Sequence, residues 1–445
     1  MKILFVYPHF KKYLETNPGI LKALKFPLYA SYKSTPSLGI PIMTALTPDK
    51  HDVYFADGNI DEIPYDEHFD LVAINCFTPQ AKHAYEIGDT FRARGIKTVM
   101  GGILPTNYPE DAKKHCDAVC IGEAEQTYPQ VLKDAEKGKL KEFYIGDNTF
   151  DMTKYVMPDR RLFKNKKGYD WKPVLVQCFR GCDMRCNYCA IPGAHGNCIR
   201  MRPPEHVIKE IEMNMDMDGL FIADDQLLFP TEVTEKYAYD FFTRLKDLNY
   251  KKSIFLSGSA MLTKDEKLLR LVKDAGVDHL YCVTGFDPIS MKAVTHDMPE
   301  EAETNFKRMR DAGLEIFASV TMGLESDDKN IFEKHLKFLE RNKIRFVEFW
   351  LATPYPGTPM WRKYKAKGRI LTEDFDLYNG AHCVFRPKKM TKEEMEEGFL
   401  YCWKEFFTRF PLDPAEAMKY YNLTEEYQRK HGLIPEESPT PQTNN

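Results

Sequence analysis

The segment Cys182-Asp183-Met184-Arg185-Cys186-Asn187-Tyr188-Cys189 holds three cysteines in a Cys-x3-Cys-x2-Cys spacing. It follows the apolar run Val174-Leu175-Val176 and a turn at Arg180-Gly181, so a buried strand is predicted to lead into it. This spacing can direct three thiolates inward from one short loop, and thiolates select zinc, copper(I) or iron–sulfur clusters. Because closed sites of zinc or clusters use four ligands, three cysteines leave one metal position open for a substrate or cofactor.

A structural zinc site is the main alternative for these cysteines. Cys178 lies four residues before the group and Cys198 nine residues after it, so either could be the fourth ligand. Disulfide bonds are disfavoured, because the chain has eleven cysteines, an odd number, scattered along its length. That usage is typical of a reducing compartment.

The length and charge of the chain limit the class of protein that it can be. The 445 residues predict two or three domains, and the formal net charge is −4 with acidic and basic residues mixed. The sequence therefore shows no basic face of the kind that would indicate a nucleic-acid partner. No apolar run is long enough to cross a bilayer, and the start, Met1–Tyr7, is too short for a signal segment and is typical of a buried strand. We expect a cytoplasmic protein with no transmembrane segment.

The first third of the chain, residues 1–147, alternates short apolar runs with helical patterns. This alternation predicts an α/β domain with a doubly wound parallel sheet, which binds ligands beyond the carboxyl ends of its strands. The predicted strands are Ile3–Tyr7, Asp52–Ala56, Leu71–Asn75, Thr98–Gly101 and Ala118–Ile121.

Residues 148–170 form a predicted linker, and the alternation resumes over residues 171–371. Six further strand–helix units predict a partial (β/α)6 barrel, whose chemistry is expected at the carboxyl ends of the strands. The predicted strands are Val174–Cys178, Gly219–Ala223, Ser253–Ser257, His279–Val283, Ile316–Thr321 and Arg345–Leu351. Residues 372–434 are predicted to form a C-terminal helical cap, and residues 435–445 a disordered tail.

The cysteine segment, with Tyr188 just before its last cysteine, resembles the cluster loop of the radical S-adenosylmethionine (SAM) superfamily. The resemblance implies that Cys182, Cys186 and Cys189 hold a [4Fe-4S] cluster. It further implies that the fourth iron chelates SAM, and that reduction cleaves SAM to methionine and a 5′-deoxyadenosyl radical.

The same resemblance implies SAM contacts at the ends of successive barrel strands. An acidic pair after the second strand is expected to meet the amino group of SAM, although a helix N-cap before Thr231 is the alternative interpretation. The segment 353–359 is similar to a Pro-x-Pro-Gly-Thr-Pro segment of one subclass. The implied SAM-binding residues are Tyr188, Asp224, Asp225, Ser257, Asp287, Gly323 and Pro354.

The turns Gly101-Gly102-x-x-Pro-Thr and Gly122-Glu123-x-Glu125 resemble the cobalamin-binding domain that precedes the barrel in a large radical SAM subclass. That subclass includes the magnesium-protoporphyrin cyclase, hopanoid-modifying enzymes and C-methyltransferases. The implied cobalamin contacts are Thr78, Gln80, Gly101, Gly102, Gly122, Glu123 and Glu125. No Asp-x-His-x-x-Gly motif is present, so no histidine is offered as lower cobalt ligand in the usual way. A flavodoxin-like domain without a cofactor is the alternative.

The resemblance implies an anaerobic enzyme that methylates an unactivated carbon through a 5′-deoxyadenosyl radical and methylcobalamin. Two alternatives are a radical SAM enzyme that cyclises, rearranges or oxidises its substrate without methyl transfer, and a non-catalytic metal- or corrinoid-binding protein. The expected partners are a small-molecule, peptide or protein substrate and an electron donor such as flavodoxin or ferredoxin. The identity of the substrate and the oligomeric state do not follow from the sequence.

Overall fold

The N-terminal part of the computed structural model is a six-stranded parallel sheet with helices on both faces. The model describes residues 1–23, 33–225, 231–258, 264–284 and 299–411. Across the sheet the strands run in the order β2-β1-β3-β4-β5-β6, so the order reverses at β1 and β3. The strands are β1 Lys2–Tyr7, β2 Asp52–Asp57, β3 Leu71–Asn75, β4 Lys97–Gly101, β5 Ala118–Ile121 and β6 Phe143–Ile145.

The helices around this sheet bury apolar faces against it because their apolar residues recur at helical spacing. They are Gly39–Leu46, Ala81–Ala93, Ile103–Asn107, Pro109–Lys113 and Ala124–Glu136, with a 3-10 turn at Thr78–Gln80. The short helices Tyr13–Thr16 and Pro18–Ala23 pack on the barrel half instead. The short edge strand β6 was not predicted. It has only three residues, and the exposed Ile145 obscures its pattern.

A second six-stranded parallel sheet forms the predicted partial barrel. Its strands run in the order β7-β10-β11-β12-β13-β14, and in the described residues no pairing joins β14 back to β7. A two-stranded antiparallel ribbon, β8 with β9, brackets the cysteine segment. The strands are β7 Pro173–Val176, β8 Phe179–Arg180, β9 Arg200–Met201, β10 Gly219–Ile222, β11 Ile254–Gly258, β12 His279–Thr284, β13 Glu315–Met322 and β14 Phe346–Leu351.

Aromatic side chains fill the lower interior of the barrel. The ring of Phe255 lies 5.0 Å from that of Phe221 and 5.9 Å from that of Phe317, all three on neighbouring inward-facing positions. The helices of this half are Ile191–His195, Pro204–Glu212, Glu232–Leu248, Glu266–Asp274, Pro299–Asp311, Ile331–Arg341, Pro359–Ala366 and Lys392–Arg409, with 3-10 turns at Met152–Lys154 and Phe375–Leu377.

Residues 148–170, between the two sheets, pack onto the barrel through a buried ion-pair network. Arg160 bonds the Glu210 carboxylate at 2.5 Å, and the fully buried Arg202 pairs with the other oxygen of the same carboxylate. Three desolvated charges are tolerated because each meets an opposite charge. The predicted linker, residues 148–170, therefore packs against the barrel and does not extend into solvent as a flexible connection.

The C-terminal helix Lys392–Arg409 begins with a capping box, in which Thr391 accepts from the backbone N–H of Glu394 at 3.2 Å. Its apolar face packs on the barrel, as expected for a cap, and Trp403 is fully buried. The N-terminal segment crosses to this helix: the Tyr13 ring stacks on Trp403 at 5.9 Å, and Ile20 enters the barrel core. The N-terminal segment thus ties the two halves together. Asp287 and the predicted tail 435–445 lie outside the described residues.

Candidate active site

One cavity of about 730 Å³ lies between the carboxyl edge of the N-terminal sheet and the mouth of the barrel. Its walls come from the turns after β1, β3, β4 and β5 on one side and from the cysteine-loop region and β14 on the other. This is the place where parallel sheets bind ligands. Of the residues predicted from sequence, the lining includes Thr78, Gly101, Gly102, Gly122, Glu123 and Glu125.

Small residues keep a slot open between the N-terminal strands and two helices. Gly39, Ala73, Gly101 and Ala124 line the part of the cavity that extends between the sheet and the helices Gly39–Leu46 and Ala124–Glu136. Larger side chains at these positions would occupy that space. The slot and the adjoining open cavity therefore fit a bulky cofactor such as cobalamin.

Gly102 shapes the turn after β4. Its φ is +109°, and an added Cβ would lie 2.6 Å from the carbonyl oxygen of Cys76 and 2.7 Å from Oδ1 of Asn75. Only glycine fits this close approach to the neighbouring turn. Contact of Gly102 with cobalamin stays a prediction. Gln80, in contrast, is not a cavity residue: its side chain bonds the backbone of Pro8 and Phe77.

The cysteine loop lies beyond this cavity wall, on the barrel side. Arg185 takes a left-handed conformation, with φ of +53°, between the first two cysteines. Burial, together with the negative charge of a neighbouring thiolate, raises the pKa of Cys182, Cys186 and Cys189 to about 11 in each case. The thiols are therefore close enough to interact, and a positively charged metal centre would offset both effects.

The loop brings these donors together without closing them around an ion. Over the described ranges, no group of three His, Cys, Asp or Glu side chains is arranged to hold a metal ion. The two possible fourth ligands stand apart, since Cys178 is fully buried beside Tyr237 and Asp224 whereas Cys198 is exposed. The three partly exposed thiols fit a cluster that keeps one position open.

The acidic pair after β10 holds the backbone that leads into the cysteine loop. Oδ1 of Asp224 accepts from the N–H groups of Cys178 and Phe179 at 2.6 and 2.9 Å. Oδ2 of Asp225 accepts from Gly181 N–H at 2.8 Å.

The helix Glu232–Leu248 is capped by Thr231 and not by the acidic pair, so the interpretation of the pair as its N-cap is wrong. Contact of the pair with SAM stays a prediction.

The other predicted SAM-binding residues lie around the barrel mouth. Tyr188 packs in a small apolar cluster with Leu324 and Ala352, which adjoin the Gly323 turn and Pro354 respectively. Gly323 has a φ of +89° and donates its N–H to Asp327 at 2.8 Å. Ser257 lies opposite Tyr281 in the barrel sheet. The structure thus places Tyr188 beside residues that lie one and two positions from Gly323 and Pro354, and it places the acidic pair on the β7–β10 side.

Glu123 and Glu125 form ion pairs across the seam between the two halves. Arg180 bonds Glu125 at 2.9 Å and lies 3.3 Å from Glu123, and Arg200 pairs with both oxygens of Glu123. Both carboxylates and Arg180 are almost fully buried. We call these four residues the interdomain clamp. Sequence reasoning missed the two arginines, because nothing in their local pattern marks a partner 55 or 77 residues away.

Two further polar side chains of the site were also missed. His195 lines the cavity with Nδ1 3.0 Å from Oδ2 of Asp225. Glu348, on β14, accepts from the hydroxyl of Tyr281 on β12 at 3.1 Å inside the barrel, and burial raises its pKa to about 7. Each depends on contacts between distant segments, so no sequence signal could have found it.

The chain matches two known families. Residues 29–132 match the B12 binding domain, and residues 176–339 match the Radical SAM superfamily. Bacteriochlorophyllide d C-8(2)-methyltransferase of Chlorobaculum tepidum is 28% identical over 411 residues, covering 86% of this chain and 89% of that protein. Both halves of the chain are therefore represented in a relative of similar length.

Two solved structures share the fold. The radical SAM methyltransferase TsrM from Kitasatospora setae, with cobalamin and a [4Fe-4S] cluster bound, superimposes with a TM-score of 0.65 and 16% identity over 82% of this chain and 78% of TsrM. The cobalamin-dependent SAM radical enzyme OxsB, with aqua-cobalamin and SAM bound, gives a TM-score of 0.70 and 13% identity over 97% of this chain and 71% of OxsB. The chain therefore carries a B12-binding domain in its N-terminal half, followed by a domain of the Radical SAM superfamily that includes the cysteine loop.

Proposed function

We propose that the protein is a cobalamin-dependent radical SAM C-methyltransferase acting on an unactivated carbon. One observation carries the proposal: a single cavity joins the glycine turns of the B12-binding domain to the mouth of a barrel that presents three cysteines. When bound, the cluster and SAM supply the radical, and cobalamin carries the methyl group. The chain's own part is to hold these groups and the substrate in one enclosed space.

The protein's residues do this by orientation and by excluding water. Asp224 and Asp225 hold the backbone that enters the cysteine loop, and the interdomain clamp holds that loop against the B12-binding domain. Aromatic side chains line much of the remaining cavity wall, among them Phe10, Phe77 and Trp350. An apolar wall keeps water from a radical and suits a large apolar substrate. The relative from Chlorobaculum makes bacteriochlorophyllide d the first candidate substrate.

We also propose a cytoplasmic protein that takes its electron from a flavodoxin or ferredoxin. None of the eleven cysteines, all of which lie in the described ranges, is paired in a disulfide, and this usage is typical of a reducing compartment. Within the described ranges no helix combines the length and apolarity needed to cross a bilayer.

Metal content and products test the proposal. We would purify the protein anaerobically, reconstitute it with iron, sulfide and hydroxocobalamin, and incubate it with methyl-labelled SAM, a reductant and bacteriochlorophyllide d. About four irons and one cobalt per chain are expected, together with 5′-deoxyadenosine, S-adenosylhomocysteine and labelled product. Cys186→Ala is expected to lose the iron, whereas Cys198→Ala, at the exposed cysteine outside the group, keeps it.

The outcomes separate the alternatives. Iron without cobalt would remove cobalamin from the reaction. Cleavage of SAM to 5′-deoxyadenosine with no S-adenosylhomocysteine for any substrate would indicate a radical enzyme that does not methylate. A cluster that never cleaves SAM would indicate a binding protein, and zinc alone would overturn the radical SAM chemistry.

A further inference from the structure

His195 occupies a position on the cavity wall that neither the families nor the cysteine loop explains. It ends the short helix Ile191–His195, six residues after the last cysteine of the loop. Its side chain is 27% exposed and lines the cavity. Of the described residues that line this cavity, it is the only histidine.

The contacts of the His195 ring indicate which of its two nitrogen atoms donates a hydrogen bond and which accepts one. Oδ2 of Asp225 lies 3.0 Å from Nδ1, and the same oxygen accepts from Gly181 N–H. An ionised carboxylate only accepts, so the ring proton of a neutral imidazole lies on Nδ1 and Nε2 presents a lone pair. No described residue forms a hydrogen bond with Nε2. The ring is therefore oriented by Asp225 and has one acceptor left to offer.

The backbone of His195 is fixed against the B12-binding domain. Arg200 donates to the His195 carbonyl at 2.7 Å and also pairs with Glu123, in the turn after β5. Thr106 supports the same turn by accepting from Gly122 N–H at 3.1 Å. His195 thus lies on the barrel side of the seam, beside the turns whose glycines line the slot for a bulky cofactor.

We propose that His195, oriented by Asp225, is a cobalamin-binding residue whose Nε2 accepts a hydrogen bond from an amide group at the edge of the corrin ring. The inference rests on the proposed function, since it requires cobalamin in the cavity. A corrin ring carries primary amides around its rim, and each amide N–H needs an acceptor when water is excluded. Through His195, the barrel half would contact the cobalamin that the N-terminal half binds.

Hydroxocobalamin affinity tests this inference without any substrate. Binding would be titrated on the iron-reconstituted full-length chain in the wild type, H195F, H195Q and H68F. H195F removes the acceptor, so we expect hydroxocobalamin affinity to fall roughly threefold to tenfold, the usual range for one hydrogen bond. In H195Q the amide oxygen restores an acceptor and most of the affinity. His68, with an 82% exposed side chain away from the cavity, is the matched control, and its variant keeps wild-type affinity.

Two results would overturn the inference. One is wild-type hydroxocobalamin affinity in H195F with iron content retained. The other is a loss that H195Q does not restore, because that would indicate a role only an imidazole can fill, such as a cobalt ligand. Failure of the cobalamin part of the proposed function is distinct, because then the wild type itself would bind no hydroxocobalamin. Failure of methyl transfer alone would leave the wild-type hydroxocobalamin affinity unchanged.

Discussion

At the residue scale, Glu348 is a carboxyl group inside a barrel without a cation beside it. The described residues around it offer the Tyr281 hydroxyl at 3.1 Å and a hydrogen bond from the Trp350 side chain, and no ion pair with Glu348 is present among them. Burial raises its pKa from the ordinary 4.5 to about 7, so the folded state keeps a proton that the unfolded chain releases. This carboxyl group therefore makes the protein less stable as pH rises from about 4.5 to 7.

Glu348→Gln tests that pH dependence. The amide keeps an acceptor for Tyr281 but cannot ionise, so we expect the variant to be more stable than the wild type at pH 8. The expected gain is on the order of 1–3 kcal/mol, and it shrinks towards pH 5. Denaturant unfolding of both proteins at the two pH values measures it. A stability difference that is the same at pH 5 and pH 8 would contradict the raised pKa.

At the element scale, the turns after the N-terminal strands decide whether the cavity can form. The Gly102 turn follows β4, and backbone oxygen and nitrogen atoms of Cys76 stand within 3.0 Å of the position its Cβ would take. Gly95, in the turn before β4, also has a positive φ, of +77°, but an added Cβ there would meet nothing within 4 Å. Gly102 therefore differs from Gly95 in two respects: its φ of 109° and ψ of −172° lie in a region essentially restricted to glycine, and its Cβ would meet fixed backbone.

Gly102→Ala is therefore expected to destabilise the protein by more than Gly95→Ala. The latter costs about 1 kcal/mol from the left-handed conformation alone, whereas the former adds a clash with fixed backbone and costs about 2–4 kcal/mol. Unfolding measures both, and hydroxocobalamin titration should show weaker binding only for Gly102→Ala. Equal stability losses would show that the turn has room to relax.

At the scale of the whole molecule, the interdomain clamp joins the B12-binding domain to the segment that carries the cysteines. Its two carboxylates and two guanidinium groups balance in charge and are largely removed from water. Removing one member leaves a buried charge without its partner, which typically costs about 3–5 kcal/mol. The interdomain clamp therefore stabilises the docking of the two halves by more than an exposed ion pair with the same N–O distance would.

Glu123→Gln is expected to loosen that docking. We expect faster proteolysis at the seam and lower iron and cobalt content after reconstitution, because the cysteine loop and the cavity wall both depend on the clamp. Glu142→Gln is the matched control: Glu142 is 77% exposed and pairs with Lys113 at 3.5 Å, so its loss should change neither readout. Unchanged proteolysis and metal content in Glu123→Gln would show that apolar packing alone holds the halves together.

The local pattern of the sequence determined the two parallel sheets, the order of most strands and helices, the cysteine loop and the glycine turns. These features depend on residues close together in the chain: apolar periodicity, the spacing of three cysteines and the need for glycine at positive φ. Only the tertiary structure decided the rest. Glu123 meets Arg200 across 77 residues, Glu348 meets Tyr281 across 67, and His195 meets Asp225 across 30. No local rule encodes these pairs, because strand register and the docking of the two halves bring their side chains together and remove the water between them.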